Sequence, residues 1–236
     1  MLFRSVLNEG KIVLDGTPKE VLKEQTILEA SGLKLIDGIS LLNRIQDSKL
    51  HINKKRGNYK RIMGINFQNV DFKYSKKASY KQLDQVSLNI NEKDEFVMIV
   101  GHTGSGKSTL VQHMNGLLLA TSGRVEVFNI NVIRSKKIKL KPVREHVGLV
   151  FQFPEYQIFE STVLEDIMFG PKNFGKSKEE AKQLAIQAAH RIGINDEILE
   201  RSPFTLSGGQ MRRVAIAGAM AINPDILILD EPTVGL

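Results

Sequence analysis

The sequence predicts an α/β fold, and three observations carry that expectation. Short, almost wholly apolar runs at 96–100 and Ile226–Leu229 read as strands buried on both faces, the pattern of a parallel sheet. Stretches with helical period and recognisable caps lie between them. The glycine-rich segment Gly101-His102-Thr103-Gly104-Ser105-Gly106-Lys107-Ser108 joins one such strand to one such helix.

The elements follow in order. Residues 11–14 form a strand-like run and Asp15-Gly16 a turn. Thr17 then fits a helix N-cap, with Pro18 at the first helical position, Glu20 at the third and Gly32 as the stop. Residues 47–61 are polar, basic and without period, so they read as a linker. From Ile65 the texture is strand-rich, beginning with Ile65, Phe67 and Val70. Val86, Leu88 and Ile90 alternate with polar residues, as a half-buried strand does. The run at 96–100 stops at Gly101, and 107–119 reads as a helix. Ser177 opens another helix, with Glu180 placed for a capping box. Ala181, Leu184, Ala185, Ala188 and Ile192 keep its apolar rhythm until Gly193. Residues 210–222 form a further helix before the strand Ile226–Leu229.

Composition bounds the function. The 236 residues suffice for one domain or two, and 42% hydrophobic with 25% charged residues can bury a core. The absence of cysteine excludes disulfides, thiolate zinc sites and cysteine nucleophiles. No apolar run approaches the roughly 18 residues of a membrane helix, and no signal-peptide pattern opens the chain, so the cytosol is expected. The net charge of +7 sits in two blocks. Residues 48–61 and 134–144 each carry six Lys or Arg and no acid, while the remainder is net acidic. Neither block interleaves aromatics or matches a nucleic-acid reader, so solvated loops, or contact with anionic headgroups, are expected and no specific nucleic acid.

The segment 101–108 fits G-x-x-x-x-G-K-S/T in the strand–helix context that confirms this phosphate-binding motif. Glycines let successive N–H groups converge on phosphate oxygens, and a helix N-terminus adds partial positive charge. Lys107 supplies a point charge to the β- and γ-phosphates, and Ser108 a hydroxyl to Mg²⁺. Downstream, the strand Ile226–Leu229 ends in Asp230 and Glu231. Asp230 suits Mg²⁺, and Glu231 suits the polarisation of an attacking water. Together these elements point to nucleoside-triphosphate hydrolysis.

Leu206-Ser207-Gly208-Gly209-Gln210 is more specific. With the phosphate loop and the acidic strand, it makes the chain resemble the ATP-binding cassette (ABC) ATPases over residues 65–236. The resemblance implies a P-loop core with a mostly parallel sheet and helices on both faces, an antiparallel β subdomain, and a helical subdomain at about 153–215. It implies ATP and Mg²⁺ as cofactors, with the loop residues 101–108 and Thr109 on the nucleotide. Tyr74 corresponds to the aromatic that stacks on adenine, with core packing as the other reading. Gln152 corresponds to the glutamine near Mg²⁺ and the attacking water, so Glu231, Gln152 and Lys107 form the catalytic set and Ser108, Gln152 and Asp230 the metal set. Cassettes of this family pair head to tail, so Ser207, Gly208, Gly209 and Gln210 would face the partner's nucleotide.

The segments 151–160, 162–166, 169–175 and 202–218 resemble the ATPases of energy-coupling factor (ECF) transporters. That implies a second ECF ATPase, a membrane coupling protein and a substrate-capture membrane subunit for a vitamin or a transition-metal ion. The place implied is the cytoplasmic face of the membrane, peripherally bound, with segment 153–170 gripping the coupling protein. By the same resemblance, an aspartate facing the partner cassette and a γ-phosphate-clamping histidine should follow Leu236. None of His51, His102, His113, His146 or His190 stands at that place, so the cassette is expected to be C-terminally incomplete. Residues 6–22 resemble a segment near the C-terminal end of an ECF ATPase, and 27–45 its helical tail. The expected organisation is thus a tail-like segment at 1–46, a basic linker at 47–64 and a cassette at 65–236. Two further readings remain: a nucleotide-binding module without turnover, and an ABC protein acting on nucleic acid or ribosomes. The single cassette and the segment 151–175 argue against the latter.

Overall fold

A computed structural model describes residues 2–16, 18–21, 24–31, 64–91, 96–133 and 138–231. The chain divides into two compact units, residues 1–138 and 139–236. Thr17, Gly32, the tail helix expected within 27–45 beyond Ser31 and the linker at 47–61 lie outside the described residues.

The first unit begins with a hairpin of β1 (Leu2–Asn8) and β2 (Lys11–Asp15), then two short helices, α1 (Pro18–Val21) and α2 (Gln25–Ala30). After β3 (Gly64–Phe72), β4 (Leu83–Asn91) and β5 (Val97–Val100) comes α3 (Lys107–Met114), then β6 (Ser122–Val127) and β7 (Ile130–Asn131). Four strands form an antiparallel sheet in the order β4-β3-β6-β7, and three form a sheet in the order β2-β1-β5. In the latter, β1 runs antiparallel to β2 and parallel to β5. The N-terminal segment therefore does not stand apart from the cassette: it pairs with the strand that leads into the glycine-rich loop.

The alternation read in the sequence sets the register of β3 and β4. Ile65 faces Ile90, Phe67 faces Leu88 and Val70 faces Val86, all buried. Each such side chain contributes about 1.5–3 kcal/mol by leaving water. The helix expected over 107–119 is shorter, because Gly116 turns left-handed (φ 70°) and its N–H bonds back to His113 O at 3.2 Å.

The second unit opens with α4 (Lys141–His146) and β8 (Val147–Val150). A 3₁₀ turn (Pro154–Gln157) precedes α5 (Val163–Asn173), α6 (Lys178–Arg191) and α7 (Asp196–Leu199). A second 3₁₀ turn (Pro203–Thr205) leads to α8 (Gly208–Ala221) and then β9 (Ile226–Leu229). The helices share a core of Ile167, Ala181, Ala185, Ala189, Val214 and Ala217, whose alanines let the helices approach closely. Ser177 and Glu180 form the expected capping box on α6.

The α/β class holds, with its parallel pairs divided between β1–β5 and β8–β9. The two apolar runs are not buried on both faces. Val97–Val100 is half-buried and Phe96 exposed, and in β9 Leu227 and Leu229 are exposed. Among the described residues β5 stands at the edge of its sheet and β9 has only β8 beside it, so one side of each lacks a covering neighbour.

Candidate functional site: a phosphate loop and an acidic strand end

In the first unit β5 ends at Val100, the loop crosses 101–106, and α3 starts at Lys107. Gly101 is needed because β1 runs beside it: a Cβ there would collide with the Leu7 carbonyl oxygen. Gly106 caps α3 in the left-handed region (φ 105°), where a Cβ would also lie 2.8 Å from Gln82 O. Lys107 Nζ donates to Gly101 O at 2.9 Å and His102 O at 3.0 Å, so the ammonium is drawn over its own loop. His102, Thr103 and Gly104 are exposed and Lys107 and Ser108 half-buried, while Ser105 and Gly106 are buried.

These residues fit a phosphate group. Ser105 Oγ is wholly buried without a hydrogen-bond partner among the described residues, and the space at Gly104 is open, with nothing within 4 Å of a Cβ there. Beside the loop, the Tyr74 hydroxyl lies 3.0 Å from Thr109 Oγ1. The Tyr74 ring meets Phe72 edge-on at 4.9 Å yet remains 63% exposed, so the core reading for Tyr74 fails. Tyr74 is thus an exposed aromatic whose hydroxyl is tied to the helix that starts at Lys107.

The second unit holds the acidic strand end. In the parallel β8–β9 ladder Val150 pairs with Leu229, so Gln152 and Glu231 each stand two residues beyond paired positions. Gln152 Nε2 donates to Glu231 Oε2 at 2.5 Å, joining two residues 79 apart in sequence. Asp230 is 7% exposed, and its N–H donates to Val150 O at 3.0 Å. Glu231 adopts φ 46°, a left-handed conformation that costs a non-glycine residue about 1–2 kcal/mol.

Ser207 caps α8. Its Oγ accepts from Gln210 N–H at 3.3 Å, and Gln210 Oε1 accepts from Ser207 N–H at 2.9 Å. The Gln210 amide oxygen thus serves the cap. Gly208 and Gly209 are exposed with open space around them, leaving the first N–H groups of α8 accessible. The loop group lies in the first unit and the Gln152–Glu231 group in the second.

The sequence reading missed Asn8, Gly10 and Gln82, which touch the loop from outside. Asn8 Oδ1 lies 2.9 Å from His102 Nε2, Gly10 N–H donates to Ser105 O at 2.9 Å, and Gln82 Nε2 donates to Gly104 O at 3.2 Å. A Glu-Gly turn was the one local signal; the strand pairing that delivers it is non-local.

A phosphate loop opening a helix, an acidic strand end bonded to a glutamine, and a capped Ser-Gly-Gly helix start define a cassette-type nucleotide-binding chain. The family model described as ABC transporter matches residues 83–234, and the chain belongs to that family. It is 52% identical over 176 residues to the energy-coupling factor transporter ATP-binding protein EcfA2 of Streptococcus thermophilus, covering 74% of this chain and 63% of that protein. It is also 52% identical over 175 residues to EcfA2 of Lactococcus lactis, covering 73% of this chain and 60% of that one. The chain thus spans less than two thirds of the length of these relatives. Among solved structures it is similar to cbiO1 from Clostridium perfringens, part of the ABC transporter complex cbiONQ. That match has a TM-score of 0.63 at 36% identity and covers 75% of this chain and 68% of that one. It is also similar to the dimeric cassette MJ0796 in a post-hydrolysis state bound to ADP and Pi. There the TM-score is 0.65 at 35% identity, covering 73% of this chain and 75% of that one.

Proposed function

We propose that this chain is an ATP-binding and ATP-hydrolysing subunit of an ECF-type transporter, coupling hydrolysis to uptake through membrane partners. The observation that carries this reading is the Gln152–Glu231 pair at a strand end, in a chain that also holds the Lys107 loop. Lys107 neutralises the β- and γ-phosphates, and the loop N–H groups bind their oxygens. Tyr74 stacks on the base. Gln152 holds the Glu231 carboxylate, which takes the proton of the attacking water. Ser108 in the first unit, and Gln152 and Asp230 in the second, offer a hydroxyl, an amide and a carboxylate to Mg²⁺, which when bound offsets charge on the phosphates. Among the described residues no cluster of three or more His, Cys, Asp or Glu forms a separate metal site.

The partners proposed are a second ECF ATPase paired head to tail, a membrane coupling protein and a substrate-capture membrane subunit, with this chain on the cytoplasmic face. Two observations support them. Ser207, Gly208 and Gly209 present an open helix start suited to a neighbour's phosphate. Phe153, Tyr156, Phe159 and Phe169 are exposed, Tyr156 by 85%, which fits a partner surface and not a core. Among the described residues no helix is long and apolar enough to cross a membrane.

The test is ATP binding and phosphate release by the chain alone and with the paired ATPase and coupling protein. Lys107→Ala should weaken ATP binding about 10- to 100-fold, as loss of a charged hydrogen-bonding partner does. Glu231→Gln should keep binding and abolish release. Binding without release in the full assembly, unchanged by Glu231→Gln, would make the chain a nucleotide-binding module instead.

A further inference from the structure

The turn after β1 has no role in the chemistry above, yet it touches the phosphate loop directly. Parallel pairing sets Val6 opposite Val100, so two residues further on Asn8 stands level with His102. Asn8 Oδ1 is 2.9 Å from His102 Nε2, and His102 Nδ1 is 2.6 Å from Thr103 O, so the ring lies between two acceptors and its neutral form donates to one of them according to the tautomer. Glu9 and Gly10 then turn left-handed, at φ 46° and 76°. Gly10 N–H donates to Ser105 O at 2.9 Å, and Gly10 O accepts from Asp84 N–H at 3.0 Å. Lys11 adds an ion pair to Asp84 at 3.0 Å. The turn is thus clasped between β4 and the phosphate loop.

We infer that the Asn8-Glu9-Gly10 turn is a positioning element of the nucleotide site, holding His102 and Ser105 so that the loop is ordered before the phosphates arrive. A loop with three glycines loses much conformational freedom when fixed, and contacts made in advance lower that cost at the moment of binding. The inference rests on the reading of 101–108 as an ATP phosphate loop. Asn8 and Gly10 act through the loop and touch no substrate. Their effect falls on phosphate binding and spares the base held by Tyr74.

The experiment compares affinities for ATP and for adenosine in wild type, Asn8→Ala, His102→Ala and the double variant, with melting temperature alongside. Asn8→Ala should weaken ATP about three- to ten-fold, the scale of one hydrogen bond, with adenosine affinity and melting temperature unchanged. The double variant should bind ATP no more weakly than His102→Ala alone, because Asn8 acts through that ring. Unchanged ATP affinity, equal losses for ATP and adenosine, or additive losses in the double variant would each overturn the inference. If the wild type binds no ATP, the ATP reading itself fails, and amide hydrogen exchange across 101–108 then decides the clasp. Faster exchange there in Asn8→Ala upholds it, and unchanged exchange overturns it. Gly10→Ala is the harsher variant, since its Cβ would fall 2.5 Å from Gln82 O. Should it fail to fold, Asn8→Ala still gives the answer.

Discussion

His113 illustrates how one residue can be tied to a site without acting in it. It lies on α3, fully buried, with its ring edge-on to Phe72 at 4.7 Å and Nδ1 2.7 Å from Thr109 O. Burial holds its pKa below the ordinary 6.5, outweighing the Thr109 carbonyl, which acts the other way. The folded unit therefore prefers neutral His113, and the unfolded chain takes up the proton first as pH falls. Stability from neutral His113 is present above about pH 6.5 and is lost as the pH drops below it. Denaturation midpoints should fall between about pH 7.5 and 5.5, and His113→Leu should flatten that slope. Parallel slopes for the two proteins would refute the assignment.

At the scale of elements, α6 and α8 carry the same device for different ends. Each starts with a serine whose hydroxyl accepts from the third helical N–H and whose own N–H is capped in return by Glu180 or Gln210. Ser177→Ala and Ser207→Ala should each cost about 1 kcal/mol, read from urea denaturation. Only Ser207→Ala should also reduce ATP turnover in the assembled transporter, since only α8 follows its cap with two bare glycines. Equal losses of turnover would reduce the Ser207 segment to a helix start and nothing more. The Ser177 box was legible because S-x-x-E is a local pattern, whereas the helix expected over 210–222 starts two residues earlier, at Gly208 after the Ser207 cap. The end of α3 at Met114, five residues short of the expected 119, depended on Gly116 adopting the left-handed turn.

At the scale of the molecule, each of the two units buries apolar residues of its own. Phe67, Val70 and Leu83 are buried in the first, and Ile167 with its alanine-lined neighbours in the second. Ile167→Ala should cost about 2–5 kcal/mol by leaving a cavity. Hydrogen exchange should then speed up in α5, α6 and α8 while β3 and β4 keep their protection. Equal loss in both units would show that they unfold as one.

The sequence by itself determined the phosphate loop, the acidic strand end, the Leu206–Gln210 segment and the helix it opens, and the approximate bounds of a few elements such as Ile226–Leu229. Each is written in contiguous residues whose caps, glycines and periodicities act over one or two turns of chain. Only the tertiary structure decided that residues 2–15, which resemble a displaced tail, pair with the strand leading into the phosphate loop. It also decided that Gln152 meets Glu231, and that Tyr74 stands exposed beside Thr109. Alternation fixes which side chains of a strand face the core, but which distant segments come to lie side by side is decided by the whole fold, and no contiguous stretch of residues names its partner.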